Sequence, residues 1–316
     1  IVDTTYTQVT VPSTTPPRYA VAPEVKLVPI NALAHLGEPP EHYVIVGAGK
    51  TGLDAILFLL GQRVDPDCIT WIISQDAWFL NRAEIQPNRI GDLMTDQLKI
   101  SALSTSAEEI LLRQEAAGHI MRLDPTIWPT RYRCATITVD ELEQLRRIQR
   151  VIRKGRVTRI DLNTITFGDD SIEALPGSLY IDCTADGLAR RPPRPVFEPG
   201  LITLQPVVMC QPTYSAAVIA TLEVRYDDDQ QKNALSRPIS HPQDNEDYFP
   251  ASLATIQNVD DWGLRFGWWT LRSRLSFNAH MSLIGLIRFF FKAFLWRRRG
   301  LEKLQTYVEL QGHGDR

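Results

Sequence analysis

Tyr43-Val44-Ile45-Val46-Gly47-Ala48-Gly49-Lys50-Thr51-Gly52 is the stretch that decides the fold. Its four leading residues are apolar and β-prone without a break, which predicts a strand buried on both faces, as in a parallel sheet. The glycines at 47, 49 and 52 fit the pattern G-x-G-x-x-G. Leu53 to Leu60 then reads as an apolar helix closed by Gly61, and Cys68-Ile69-Thr70-Trp71-Ile72-Ile73 reads as a second buried strand. Strand, glycine turn, helix and strand follow one another within the length of one βαβ unit, the context a lone glycine motif lacks.

Each glycine has a distinct physical task in such a turn. Gly47 permits the sharp exit from the strand, Gly49 lets backbone approach a pyrophosphate, and Gly52 lets the helix lie close to the sheet. A helix opening near Lys50 or Thr51 presents free N–H groups and a positive dipole end to phosphate. Gly47, Ala48, Gly49, Lys50, Thr51 and Gly52 are therefore the predicted pyrophosphate-binding residues.

The end of the second strand chooses between nicotinamide cofactors. An acid there bonds the ribose hydroxyls of NAD, whereas basic and small polar residues accept the 2′-phosphate of NADP. Here the strand runs into Ser74-Gln75-Asp76, with Arg82 shortly after. Ser74 and Gln75 bring hydrogen bonds without negative charge, and Arg82 is a candidate phosphate partner. Asp76 points toward NAD if its carboxylate faces the site. The balance favours NADP, with NAD as the alternative.

Glu41 to Arg82 resembles the second dinucleotide-binding fold of flavin-dependent monooxygenases and their FAD/NAD(P)-binding relatives. The residues that carry the resemblance are Val44 to Gly52 and, more weakly, Asp76-Ala77-Trp78, the connector Val11-Pro12-Ser13-Thr14 with Tyr19, and Asp182-Cys183-Thr184-Ala185-Asp186-Gly187. It extends over residues 1–240. The resemblance implies an α/β, Rossmann-like three-layer nucleotide-binding domain over residues 37–190. It also implies parts of a second, FAD-type domain: a connector over 1–36, and a return segment with a helical tail over 191–316. In that family an earlier glycine motif binds FAD and the reduced nicotinamide passes hydride to flavin. This chain has no second G-x-G-x-x-G, so the main FAD site is not visible in it, and Gln75 stands where such relatives often place Arg. The expected function is the NAD(P)H-binding portion of an FAD-dependent, monooxygenase-like oxidoreductase acting on a small organic substrate. The alternative is a non-catalytic nucleotide-binding or scaffold protein that has lost FAD binding. No catalytic acid or base is named, because flavin chemistry is carried by the cofactor.

The rest of the chain narrows the field. A net charge of −3 gives no global basic field for nucleic acid. The segment Arg190 to Pro195 reads as a connector. None of the six histidines stands at metal-ligand spacing, and neither a G-x-S-x-G elbow nor a Walker motif occurs. The four cysteines form no C-x-x-C pair and read as buried, reduced thiols of an intracellular protein. No charged n-region precedes an apolar run, which predicts a cytoplasmic protein. The strand-like Ile1 to Tyr6 suggests chain upstream of Ile1. Thr138-Val139-Asp140-Glu141 reads as a capping box opening a helix to Arg153. Asp227-Asp228-Asp229 reads as a solvated turn. The tail from Ser282 to Gln305 reads as helical. Its span 281–299, with Phe289, Phe290, Phe291, Phe294 and Trp296 closed by Arg297 to Arg299, suits either packing on the core or peripheral contact with a membrane.

Overall fold

A computed structural model describes residues 1–87, 89–185, 187, 191–276 and 281–314. Asp186, Arg190 and His280 lie outside the described residues. The chain opens with three short strands, β1 (Val2–Asp3), β2 (Ala20–Val21) and β3 (Leu27–Pro29). β4 (His42–Val46), α1 (Lys50–Gly61) and β5 (Ile69–Ile72) form the expected strand–helix–strand unit. Next come β6 (Ala77–Asn81), α2 (Ile90–Leu103), α3 (Ala107–Ala116), β7 (Ile120–Met121), β8 (Arg131–Ile137) and α4 (Val139–Leu145). The strands β9 (Arg150–Ile152), β10 (Arg159–Ile160), β11 (Thr164–Phe167), β12 (Asp170–Glu173) and β13 (Ser178–Asp182) follow. After β14 (Phe197–Glu198) and β15 (Leu201–Thr203) the chain is helical: α5 (Pro212–Arg225), α6 (Asp229–Ala234), α7 (Asn245–Arg272) and α8 (Leu283–Gly314).

The architecture is mixed α/β. A five-stranded sheet runs β3-β13-β4-β5-β9, and every neighbouring pair in it is parallel. Every residue of β4 and β5 is buried, as continuous apolar strands covered on both faces must be. Alternation sends their side chains to two cores. Tyr43, Ile45, Trp71 and Leu179 meet Leu53, Ile56, Leu142 and Leu145 of α1 and α4. Val44, Val46, Ile72 and Tyr180 meet Ile160, Ile165 and Phe167 on the opposite face. That second cover is itself a sheet, β12-β11-β10-β2, so helices, parallel sheet and hairpin sheet are stacked in layers. Leu27–Pro29 belongs to the parallel sheet, which therefore reaches back before residue 37.

A third sheet, β7-β6-β8, is buried by α3, α7 and α8 through Trp78, Ile110, Tyr132, Phe249 and Leu304. α8 crosses α2 at very short range, because a Cβ on Gly300 would stand 2.6 Å from the Leu98 carbonyl oxygen. Its other face leaves Ile284, Ile287, Phe291 and Phe294 exposed. Among the described residues no helix is long and apolar enough to cross a membrane.

Several sequence expectations change. The capping box at Thr138 forms, but its helix ends at Leu145, and Arg150–Ile152 is an edge strand on β5 rather than helix. Val151 and Ile152 are β-branched, and the open edge of β5 supplies the hydrogen bonds that fix them as strand. Asp227 and Asp228 are exposed and outside any helix, and Asp228 also caps α6, accepting from the Gln230 and Gln231 amides. Two of the cysteines are not reduced thiols: Cys134 and Cys210 form a disulfide with their Cα atoms 6.3 Å apart, while Cys68 and Cys183 stay free. The pairing lies 76 residues apart in sequence and was hidden for that reason.

Candidate nucleotide-binding site

The site lies at the carboxyl ends of β4, β5 and β13, where the chain reverses its direction across the sheet. From β4 the chain moves outward to β5 and β9, and then returns to place β13 on the other side of β4. Such a reversal opens a crevice beyond the strand ends. Gly47 sits in it, its amide donating to the Ile72 carbonyl at 3.0 Å and its own carbonyl accepting from the Trp71 indole at 2.9 Å.

The three glycines are distinguished by what surrounds them. Gly47 has φ +123°, and a Cβ there would stand 2.5 Å from the Cys183 carbonyl oxygen. A Cβ on Gly52 would stand 2.3 Å from the Gly47 carbonyl oxygen, so α1 lies against the turn that precedes it. A Cβ on Gly49 would meet nothing within 4 Å. Two glycines are thus needed by the protein's own packing, while the middle one faces open space. Gly49 is the N-cap of α1 and supplies no side-chain cap. By helix geometry the Lys50 and Thr51 amides have no partner within the helix, whereas the Gly52 amide already donates to the Gly49 carbonyl at 2.9 Å.

Ala48 packs against the core beneath the turn, and Thr51 is half-buried in the first turn of α1. Lys50 is ion-paired with Asp54 one turn along. Its charge also reaches Glu141: burial pushes that carboxyl up, but the Thr138 amide, the Arg82 guanidinium and Lys50 together hold it below the ordinary carboxylate range. Ser74 and Gln75 are exposed just past Ile72, whose strand is in register with Val46, so both stand beside the glycine turn.

Arg82 is engaged within the protein, on a carboxylate that also feels Lys50. Its guanidinium donates to Glu141 Oε1 at 3.0 Å and to the Thr136 carbonyl at 3.1 Å, tying the end of β6 to α4. The basic groups beside Ser74 and Gln75 are two that sequence reasoning missed. Arg131 donates to Gln75 Oε1 at 2.5 Å and pairs with Asp244. Arg153 holds Asp76 through contacts of 3.0 Å and 3.3 Å. Reading β9 as helix hid Arg153, which stands one residue beyond the strand paired with β5.

On the other side of the turn, Asp182 is 3% exposed and accepts from the Thr184 hydroxyl at 2.7 Å, the Thr184 amide at 3.1 Å and the Tyr19 hydroxyl at 3.3 Å. It borders a cavity of about 310 Å³ walled by residues 12–17 of the connector. Burial pushes the neighbouring Cys183 thiol well above its ordinary value, with Asp182 and Asp54 adding to the effect, so it is an inert thiol.

The chain is similar to uncharacterized proteins of Mycobacterium bovis and Mycobacterium tuberculosis. Each is 44% identical over 267 residues, a match covering 83% of this chain and 50% of the relative. The chain thus spans about half the length of the curated relatives it matches. No family model matches the chain. No solved structure matches it either.

Proposed function

We propose that the chain binds a nicotinamide dinucleotide, NADP ahead of NAD, with its pyrophosphate on the turn Gly47 to Gly52. One observation carries this reading: the positions of Gly47 and Gly52 are closed by backbone within 2.5 Å and 2.3 Å, whereas Gly49 faces open space at the strand ends. That is the distribution of tight turn, close ligand approach and close helix packing that a pyrophosphate turn needs. Counting from β4, the parallel sheet has the order third-second-first-fourth, which supports a Rossmann-like, doubly wound domain.

The preference for NADP rests on charge. Asp76 is held by Arg153, so its carboxylate is neutralised, and Ser74, Gln75 and Arg131 surround the adenosine ribose position with neutral and basic groups. Residues of this chain would hold the dinucleotide as follows: first-turn amides of α1 on the pyrophosphate, Lys50 as a nearby cation, and Ser74 and Gln75 on the ribose. When bound in its reduced form, the nicotinamide would supply a hydride to an acceptor and leave as the oxidised dinucleotide.

We read the chain as the NAD(P)H-binding portion of a flavin-type, monooxygenase-like oxidoreductase. This rests on the resemblance of Glu41 to Arg82. The chain has no second glycine fingerprint to hold flavin pyrophosphate, so no step is assigned to flavin here. The exposed Ile284, Ile287, Phe291 and Phe294, with Arg288 among them, support peripheral contact with a membrane surface.

The test is a titration with NADPH and with NADH, followed by nicotinamide fluorescence. The expected result is saturable binding with NADPH the tighter ligand. No saturable binding of either would overturn the reading. NADPH oxidation that requires added FAD separates the enzyme from a nucleotide-binding scaffold.

A further inference from the structure

A cavity of about 790 Å³ lies between α2, α7 and α8, with β6 and β8 at its inner end. Its volume is that of a site for a whole small molecule. The lining is chiefly apolar, with Leu93, Ile256 and Phe289 among its walls. Leu264, Trp268 and Phe294 also line it and are 84%, 71% and 85% exposed, which gives it an apolar mouth. The cavity is walled by residues outside the glycine turn and its neighbours.

Polar side chains interrupt the apolar wall, Tyr132 and His119 among them. Tyr132 is 1% exposed, and its hydroxyl has no hydrogen-bond partner among the described residues. His119 is 5% exposed, and neither ring nitrogen is hydrogen-bonded among the described residues; Glu84 is 3.8 Å from its Nδ1. An unsatisfied buried hydroxyl costs about 1–3 kcal/mol, so its retention at a cavity wall is what a ligand-binding group requires.

Charge decides the ligand class. The cation in the lining, Arg297, is paired with Asp260 at 2.7 Å. Lys292, whose field reaches His119, is paired with Asp92 and Asp96 at 2.9 Å and 3.2 Å. A carboxylate or phosphate taken into this space would lose its hydration without gaining an unpaired cation. A neutral carbonyl compound loses little and gains a donor in Tyr132.

We propose that this cavity binds a neutral lipophilic molecule of the fatty ester or ketone class, its carbonyl oxygen accepting a hydrogen bond from the Tyr132 hydroxyl. The apolar chain lies between α2 and α8 and leaves through the mouth at Trp268 and Phe294. His119 is a second polar station at the inner end.

Gly263 and Gly267 of α7 provide the test. Both line the cavity, and a Cβ on either would meet nothing within 4 Å. Gly263→Phe and Gly267→Phe therefore fill the space, the first inside regular helix, which it favours, and the second just past the break in α7 at Phe266 (φ −145°). Nile red is the reporter, and methyl laurate and laurate are the competitors. The expected result is saturable Nile red binding, displaced by methyl laurate at a concentration at least about tenfold below that of laurate. Both glycine variants should lose Nile red binding by at least about tenfold with unchanged thermal midpoints. Tyr132→Phe should keep Nile red binding and stability, and weaken methyl laurate about fivefold, the loss of one hydrogen bond. Unchanged binding in both glycine variants overturns the site. Equal displacement by laurate overturns the neutral ligand class, and unchanged methyl laurate affinity in Tyr132→Phe overturns the anchor. Gly49→Val, which bears on the dinucleotide reading alone, should leave all of these affinities unchanged.

Discussion

A Cβ on Gly52 would stand 2.3 Å from the carbonyl oxygen of Gly47, whereas the same atom on Gly49 would touch nothing within 4 Å. The two glycines of one motif therefore separate folding from binding. Gly52→Val forces backbone against backbone between the turn and α1, and should cost about 3 kcal/mol, at the upper end for overpacking. Gly49→Val enters open space at an ordinary φ of −77°, so it should cost no more than the roughly 1 kcal/mol of a poor N-cap residue, well below the cost of Gly52→Val. In the proposed site its branched side chain stands in the path of the pyrophosphate, and NADPH affinity should fall at least about tenfold. Thermal unfolding and a fluorescence titration on both variants decide the matter. Parental NADPH affinity in Gly49→Val would falsify the placement of the site.

On the proposed reading, Arg153 and Asp76 set the choice between NADP and NAD. The carboxylate is 11% exposed and held at 3.0 Å by a guanidinium from the neighbouring strand end. Arg153→Ala releases a negative charge beside the position of the ribose. NADPH should then bind about tenfold more weakly through repulsion of its 2′-phosphate, and NADH should bind as well as before or better. A ratio of the two dissociation constants that does not move would remove Arg153 from selectivity.

How far the sequence could be read depended on the range of the forces involved. The unit from Tyr43 to Ile73 was legible because every signal in it is local: a buried apolar strand, glycines at fixed spacing, and a helix whose core residues Leu53, Ile56 and Leu59 recur on one face. β9 was misread because its strand character comes from the edge of β5, and Arg153 was lost with it. Arg82 reads in the sequence as a free cation, whereas Glu141 and the Thr136 carbonyl engage its guanidinium, ties that no local pattern announces. The disulfide and the apolar cavity join residues that only tertiary packing brings together: Cys134 with Cys210, and Tyr132 with α7 and α8.

The disulfide carries its own prediction. Cys134 and Cys210 close a loop of 76 residues and join β8 to the segment before α5. In the chain-entropy account a loop of this length stabilises by about 4 kcal/mol, and native-state strain lowers that figure. Both cysteines have positive φ, at 56° and 58°, a conformation that is uncommon for residues other than glycine. Cys134→Ala and Cys210→Ala should each lower stability by about 2–4 kcal/mol under oxidising conditions, and a reductant should remove most of the difference from the parent. Alkylation of the unfolded parent without reductant should label Cys68 and Cys183 alone; labelling of all four cysteines would show that the bond does not form.

Acid sensitivity follows from the buried histidines. Burial holds His42 and His119 below the ordinary imidazole value; Arg150 adds to the effect at His42. At His119, Glu84 and Asp96 oppose the shift and Lys292 favours it, and burial outweighs them. A histidine with a lowered folded-state pKa binds fewer protons in the native state than in the unfolded one, whose value is about 6.5. Its stabilising contribution is therefore complete above about pH 6.5 and is lost as pH falls from there toward the depressed native value. Each such histidine steepens the loss by at most about 1.4 kcal/mol per pH unit. Denaturant unfolding at pH 7.5, 6.5 and 5.5 should show stability falling with acid. His119→Phe should flatten that fall by up to one proton, since Asp260 and the other carboxyls are common to both proteins. An identical slope in the variant would mean that His119 charges as readily in the folded protein as in the unfolded chain.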